Sequence, residues 1–185
     1  MELQELLNKW EIKCDVKTLL SMWNESHRSY HNLDHLNDLI SQINESKSNF
    51  SEKEYEKLII SALFHDIVYD PLKEDNEEKS AEFLMECAIN KDDKDILEIR
   101  QTILDTKNHQ ETNELSKYFN EFDMNIVERN FDELLKWEKG ISEEYSHYGE
   151  FYKVGRIKFL ESLMDNYPNN TENLLKLKNW VINNY

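Results

Sequence analysis

A chain of 185 residues that contains only 3 Gly and 2 Pro lacks the residues that tight bends use. Hairpins and sheet corners draw on Gly for positive φ and on Pro for a preset φ, so a turn-rich β fold needs many of both. Their scarcity predicts an all-α fold whose helices are joined by polar loops. The length suits one well-filled core, and we expect a single domain over 1–185. The 8 Phe, 9 Tyr and 4 Trp provide bulky core material, and Trp10, Trp23, Trp137 and Trp180 are expected to serve as packing.

Charge narrows the partners. With 38 acidic against 22 basic side chains the formal net charge is -16, which repels a phosphate backbone and argues against an extended nucleic-acid surface. A small anionic substrate is compatible with this charge if a metal reverses the field inside a pocket. No stretch approaches the roughly 18 apolar residues of a membrane span, and no membrane association is expected. Cys14 and Cys87 fall in periodic segments and form no C-x-x-C pair, so we expect buried free thiols and a cytoplasmic location. The composition leaves room for a homo-oligomer.

Periodicity places the elements. Residues 2–10 and 16–24 read as a short amphipathic pair covering the main bundle. A helix is expected to begin near Asn32 and run through Ile43, with His31 and His35 both in its first turn. Ser51 and Glu54 form a capping-box pattern that opens a helix delivering Phe64-His65-Asp66 at its end. Helices follow at 76–89 and about 92–106. From 113 to 129 the pattern is helical but interrupted near Phe119-Asn120. The last third predicts helices at 130–147, 150–166 and 171–182.

Three fragments carry chemistry. His65-Asp66 sets an imidazole and a carboxylate side by side where an apolar helix meets solvent, a pairing suited to metal ligation. His31 and His35 sit four residues apart, and two imidazoles on one face can ligate or relay protons. Asp123 is a lone acid among Phe122, Met124 and Ile126, costly to bury ionised unless a cation or hydrogen bonds compensate it. Its competing use is as an N-cap of the following helix. Glu77 and Glu78 near a helix start would stabilise the dipole whatever else they do. For His27 and His147 an ordinary surface role suffices.

The order His, His-Asp, distant Asp in a helical setting resembles the HD superfamily of metal-dependent phosphohydrolases. Tyr30-His31-Asn32-Leu33-Asp34-His35, Phe64-His65-Asp66-Ile67-Val68-Tyr69-Asp70 and Asp75 to Ala81 look like a bacterial-type subfamily of HD phosphohydrolases. The likeness continues through Thr106 to His109, Phe122-Asp123 and Gly155-Arg156. It implies an HD-domain helical bundle in which His35, His65, Asp66 and Asp123 hold a divalent cation (Mn, Mg, Fe, Co, Ni or Zn). It also implies hydrolysis of a small phosphorylated substrate, a nucleotide among the candidates, with Asp66 in the catalytic centre. Cyclic-nucleotide phosphodiesterases share this metal site, and their Tyr-His-Asn-x-x-His element makes His31 the proton donor and His35 the ligand. His109 is implied as a second-metal or phosphate contact, with Glu77, Lys79 and Arg156 at the substrate, while Arg28 also matches the pattern. Two positions depart from it, Glu121 in place of an Asp and Ser142 in place of an Arg. Two other classes stay open, a di-iron HD-type oxygenase and an inactive nucleotide- or phosphate-binding regulatory module.

Overall fold

The computed structural model describes residues 2–185 and is all-helical. Among the described residues the nearest approach to a sheet is one antiparallel bridge between Ile12 and Ala88. Where the sequence suggests a single domain over 1–185, the chain divides into two compact units, Met1–Asp123 and Met124–Tyr185.

The first unit carries α1 (Leu3–Lys9), α2 (Val16–Trp23), α3 (Leu33–Glu45), α4 (Glu52–Phe64), α5 (Asn76–Cys87), α6 (Lys94–Asp105) and α7 (Glu114–Asp123). α4 is central and packs against α3, α5, α6 and α7. Its start is fixed by the expected capping box, with the Ser51 side chain accepting from Glu54 N and the Glu54 carboxylate from Ser51 N. From Glu56 to Phe64 every residue is buried, which explains an apolar run with no polar stripe. The charges at its start find partners. Glu56 accepts from Lys9 and from Trp10 Nε1 at 2.7 and 2.8 Å, and Lys57 lies 2.6 Å from Glu98 and 3.1 Å from Asp95.

Two expectations change. The N-terminal pair is part of the core and no mere cover, since Leu6, Leu7, Leu19 and Trp23 are at most 1% exposed. The break expected near Phe119-Asn120 does not occur there, because α7 runs on to Asp123 and gives way to a 3-10 segment at Met124–Glu128. Asn120 looked like a helix breaker; its Nδ2 instead donates to the Gln110 carbonyl at 2.8 Å and ties α7 to the loop before it.

The second unit holds α8 (Phe131–Glu144), α9 (Glu150–Asn166) and α10 (Thr171–Asn184), with α10 packed on both others. Asn130 caps α8 by accepting from Asp132 N and Glu133 N, as Asn is suited to do. In the interior of this unit Glu138, fully buried, accepts from Arg156 Nε at 2.6 Å and from Tyr152 Oη at 2.7 Å.

Candidate metal centre

Ends of three helices of the first unit meet at one point. His65 is the C-cap of α4, and Asp66 is the next residue. His35 lies in the first turn of α3, and Asp123 is the last residue of α7. The ligand atoms of His35, His65 and Asp66 all lie within 4.8 Å of one another. His35 Nε2 is 3.2 Å from His65 Nε2, and Asp66 Oδ2 is 3.1 Å from His65 Nε2. Asp123 Oδ1 stands 3.2 Å from His35 Nε2 and 3.7 Å from His65 Nε2. Asp123 closes α7 and immediately precedes the 3-10 segment that starts at Met124, while its carboxylate points to the two imidazoles.

The donor set fits a divalent cation. Two imidazole nitrogens at 3.2 Å would set lone pair against lone pair unless a proton or a cation lies between them. Ligand bonds of about 2.0–2.2 Å put neighbouring donors around one ion roughly 3.0–3.4 Å apart; the His35–His65, Asp66–His65 and Asp123–His35 separations fall in that range. The other nitrogen of His65, Nδ1, is 3.1 Å from the Ala62 carbonyl. Donation from Nδ1 leaves Nε2 as the ligating atom, the outer-shell pattern that orients metal-bound histidines. Nitrogen and carboxylate donors together suit Mn, Fe, Co, Ni or Zn.

The electrostatics of the protein alone match this arrangement. Burial disfavours the His65 imidazolium, but the Asp66 carboxylate by charge and hydrogen bond, with Asp123 behind it, pushes its pKa up to about 9. Burial would raise Asp66, yet the His65 charge and hydrogen bond hold it well below the usual carboxylate range. Asp123 is likewise held far down against burial, by hydrogen bonds from His109 and His35 and the charge of His65. Two partly buried acids held ionised beside imidazoles make the site favourable to positive charge.

His31 is not in the helix. Asn32 is the N-cap of α3, its side chain accepting from Asp34 N at 2.8 Å, so His31 lies in the preceding turn. Its ring still comes within 6.0 Å of the His35 ring, centroid to centroid, and within 4.5 Å of Tyr69. The helical spacing that suggested the contact is therefore replaced by a clamp. Arg28, 5% exposed, donates from Nη1 to the carbonyls of His31 at 3.0 Å and Asp66 at 2.8 Å, and from Nη2 to that of Ile67 at 3.0 Å. Its Nε donates to Glu25 at 3.1 Å. One guanidinium thus fixes the His31 turn to the backbone that carries Asp66.

Trp23 backs the site. Its Nε1 donates to the Leu63 carbonyl at 3.0 Å, satisfying an acceptor in the last turn of α4, and its ring lies 5.3 Å from that of His65. Sequence reading treated Trp23 as packing and attached no role to Arg28 beyond its matching a pattern; no local spacing signals either contact.

At the rim, His109 has a left-handed backbone, φ 49 and ψ 46, and its Nε2 is 3.8 Å from Asp123 Oδ2. Glu77, in the first turn of α5, is half-buried, and burial with the Asp66 charge pushes its carboxyl up. The ammonium beside it is Lys107 at 3.9 Å. Lys79 is paired with Glu82 at 2.7 Å on an exposed part of α5. Arg156 belongs to the second unit, where its guanidinium lies 4.1 Å above the Trp137 ring and its Nε is held by Glu138. Ser142, also there, accepts from Tyr185 Oη at 2.7 Å. No protein-family model, curated protein or solved structure matches this chain.

Proposed function

We propose that the first unit is a metal-dependent phosphohydrolase of the HD type, cleaving a small phosphate ester with His35, His65, Asp66 and Asp123 as metal ligands. The observation that carries this reading is the convergence of two imidazole Nε2 atoms 3.2 Å apart with two partly buried carboxylates. A cation bound there supplies Lewis-acid neutralisation of the phosphoryl oxygens and acidifies the attacking water.

The remaining work falls to the chain. Asp66 and Asp123 stay ionised and offset the charge of a cation, so an anionic ester is attracted only when the cation is present. His35 and His65 would hold the cation through their Nε2 atoms. His31, outside the ligand set but close enough to lower the Asp66 pKa by its charge, is placed to protonate the leaving oxygen. Arg28 keeps that donor in register with Asp66. Glu77, Lys107 and His109 line the rim where the rest of the substrate would lie.

The test is metal content by elemental analysis together with hydrolysis of a panel of small phosphate esters, nucleotides included. Wild type is expected to hold at least one divalent cation per chain, and a His65→Ala, Asp66→Ala double variant none. His31→Ala should keep the metal and lose roughly 10²- to 10⁴-fold in rate, the usual contribution of a general acid. Hydrolysis by the double variant at the wild-type rate would sink the proposal. Turnover that requires dioxygen and two irons would replace it with an oxygenase.

A further inference from the structure

A second reactive pair lies in the first unit and has no part in the metal centre. Cys14 and Cys87 are 73 positions apart in sequence, yet the chain segments that carry them are joined by the antiparallel bridge between Ile12 and Ala88. Lys13 N donates to the carbonyl of Cys87 itself at 2.7 Å, and Ile89 N donates to the Glu11 carbonyl at 3.0 Å. The residue adjoining Cys14 is thus hydrogen-bonded to Cys87. Cys87 belongs to the buried core, and Cys14 packs against that core while staying partly open to solvent. The bridge thus sets the two cysteine-bearing segments side by side, and burial pushes both thiols up, Cys87 to about 12.

We propose that Cys14 and Cys87 are a redox-controlled staple, closing to an intramolecular disulfide when the chain meets a small-molecule disulfide oxidant. Cys14, the more accessible thiol, loses its proton and attacks one sulfur of the oxidant. The oxidant S–S bond breaks, a mixed disulfide forms on Cys14, and the first small thiolate leaves with the electron pair. Cys87, deprotonated in turn, attacks Cys14 Sγ; the protein disulfide forms and the second small thiolate leaves. Two cysteine thiols are oxidised by two electrons, the oxidant is reduced to two thiols, and the two protons released end on them.

Raised thiol pKa values make the closure slow at neutral pH and faster as pH rises. The bond formed closes a long loop and joins the segment leading into α2 to the end of α5. α2 carries Trp23, which packs on His65, so oxidation tightens the support of the metal centre. The proposal does not depend on what that centre does.

The full chain is incubated with excess oxidised glutathione at mildly alkaline pH and followed by intact mass and peptide mapping under non-reducing conditions. The expected product is a monomer lighter by two hydrogens with a Cys14–Cys87 linked peptide. Its Tm should lie about 5 °C or more above that of the reduced chain, falling back on addition of dithiothreitol. Cys87→Ser should stop at a stable glutathione adduct on Cys14. The proposal is overturned if wild type also stops at that adduct, stays unmodified, or crosslinks between chains, or if the linked form melts no higher than the reduced one.

Discussion

Replacing Arg28 with Met keeps the length and apolar stem of the side chain and removes the fork that joins two parts of the candidate site. Three backbone carbonyls, those of His31, Asp66 and Ile67, lose donors at 2.8–3.0 Å, and Glu25 loses one at 3.1 Å. A buried acceptor left unpaired costs about 1–3 kcal/mol. The bond to Ile67 O is buried while those to His31 O and Asp66 O are part-buried and within reach of water, so the three together sit near the low end, roughly 3–4 kcal/mol. We therefore expect a loss of about 3–4 kcal/mol, or roughly 6–16 °C in Tm at about 2–4 °C per kcal/mol for a chain of this size. The contacts to Trp23 and Tyr69, with the guanidinium carbon 5.5 and 5.3 Å from their ring centroids, are only partly replaced by a methyl thioether.

The metal readout separates positioning from bulk stability. Outer-shell partners of metal ligands typically govern about 10- to 100-fold in affinity, and Arg28→Met should lose that much at a temperature where the variant is still folded. Arg28→Lys, which keeps the charge but not the planar fork, should recover part of the stability and little of the affinity. Urea denaturation and isothermal titration with Mn²⁺ or Zn²⁺ supply both numbers. If Arg28→Met unfolds within about 1 kcal/mol of wild type, well under the cost of the unpaired carbonyls, and binds metal equally well, the clamp has no such role.

Three further outcomes follow from particular contacts. Because the folded-state pKa of His65 is raised to about 9, the stability it contributes is fully present below its unfolded value near 6.5 and is lost as pH rises through about 9; in EDTA the Tm should fall over that window, and a Tm independent of this histidine would contradict the pairing with Asp66. Trp23→Phe removes the donor to Leu63 O and should cost about 1–2 kcal/mol by chemical denaturation. Glu138→Ala leaves buried Arg156 unpaired and should cost about 3–5 kcal/mol, whereas a Glu138→Leu, Arg156→Met double variant should lose far less. An Arg156→Met single variant that folds as well as wild type would remove the structural account of that pair.

The gross fold was legible because it rests on local signals. Few Gly and Pro, a capping box at Ser51 and Glu54, and an Asn at the start of α3 act within a few residues, and the two caps form as read. The boundary at 1–123 was not legible, since α7 passes into the 3-10 segment from Met124 without a Gly, Pro or polar linker to mark it. For the candidate site, the order of His35, His65-Asp66 and Asp123 singled out residues that the fold brings together, but the reason for their proximity could not be read. His31 is the clearest case. Its four-residue spacing from His35 suggested a shared helix face, whereas the ring is delivered from a turn that Arg28 holds by its backbone. A four-residue spacing does not by itself put two residues in one element.

The same distinction bears on the cations that sequence reasoning assigned to the substrate. Lys79 and Lys107 are both exposed lysines near acidic residues, and residue type cannot choose between them. The fold does, because α6 ends at Asp105 and its following turn carries Lys107 to the first turn of α5, where it meets Glu74 O, Glu78 and Glu77. Lys79, two residues after Glu77, is turned about 200° around the helix from it and pairs instead with Glu82. If phosphate contacts at this rim come from a lysine, the geometry assigns them to Lys107. A Lys107→Met variant should then raise KM with little change in kcat, while Lys79→Met leaves both unchanged; the reverse pattern would mean that the substrate enters over α5 and not between α5 and the turn after α6.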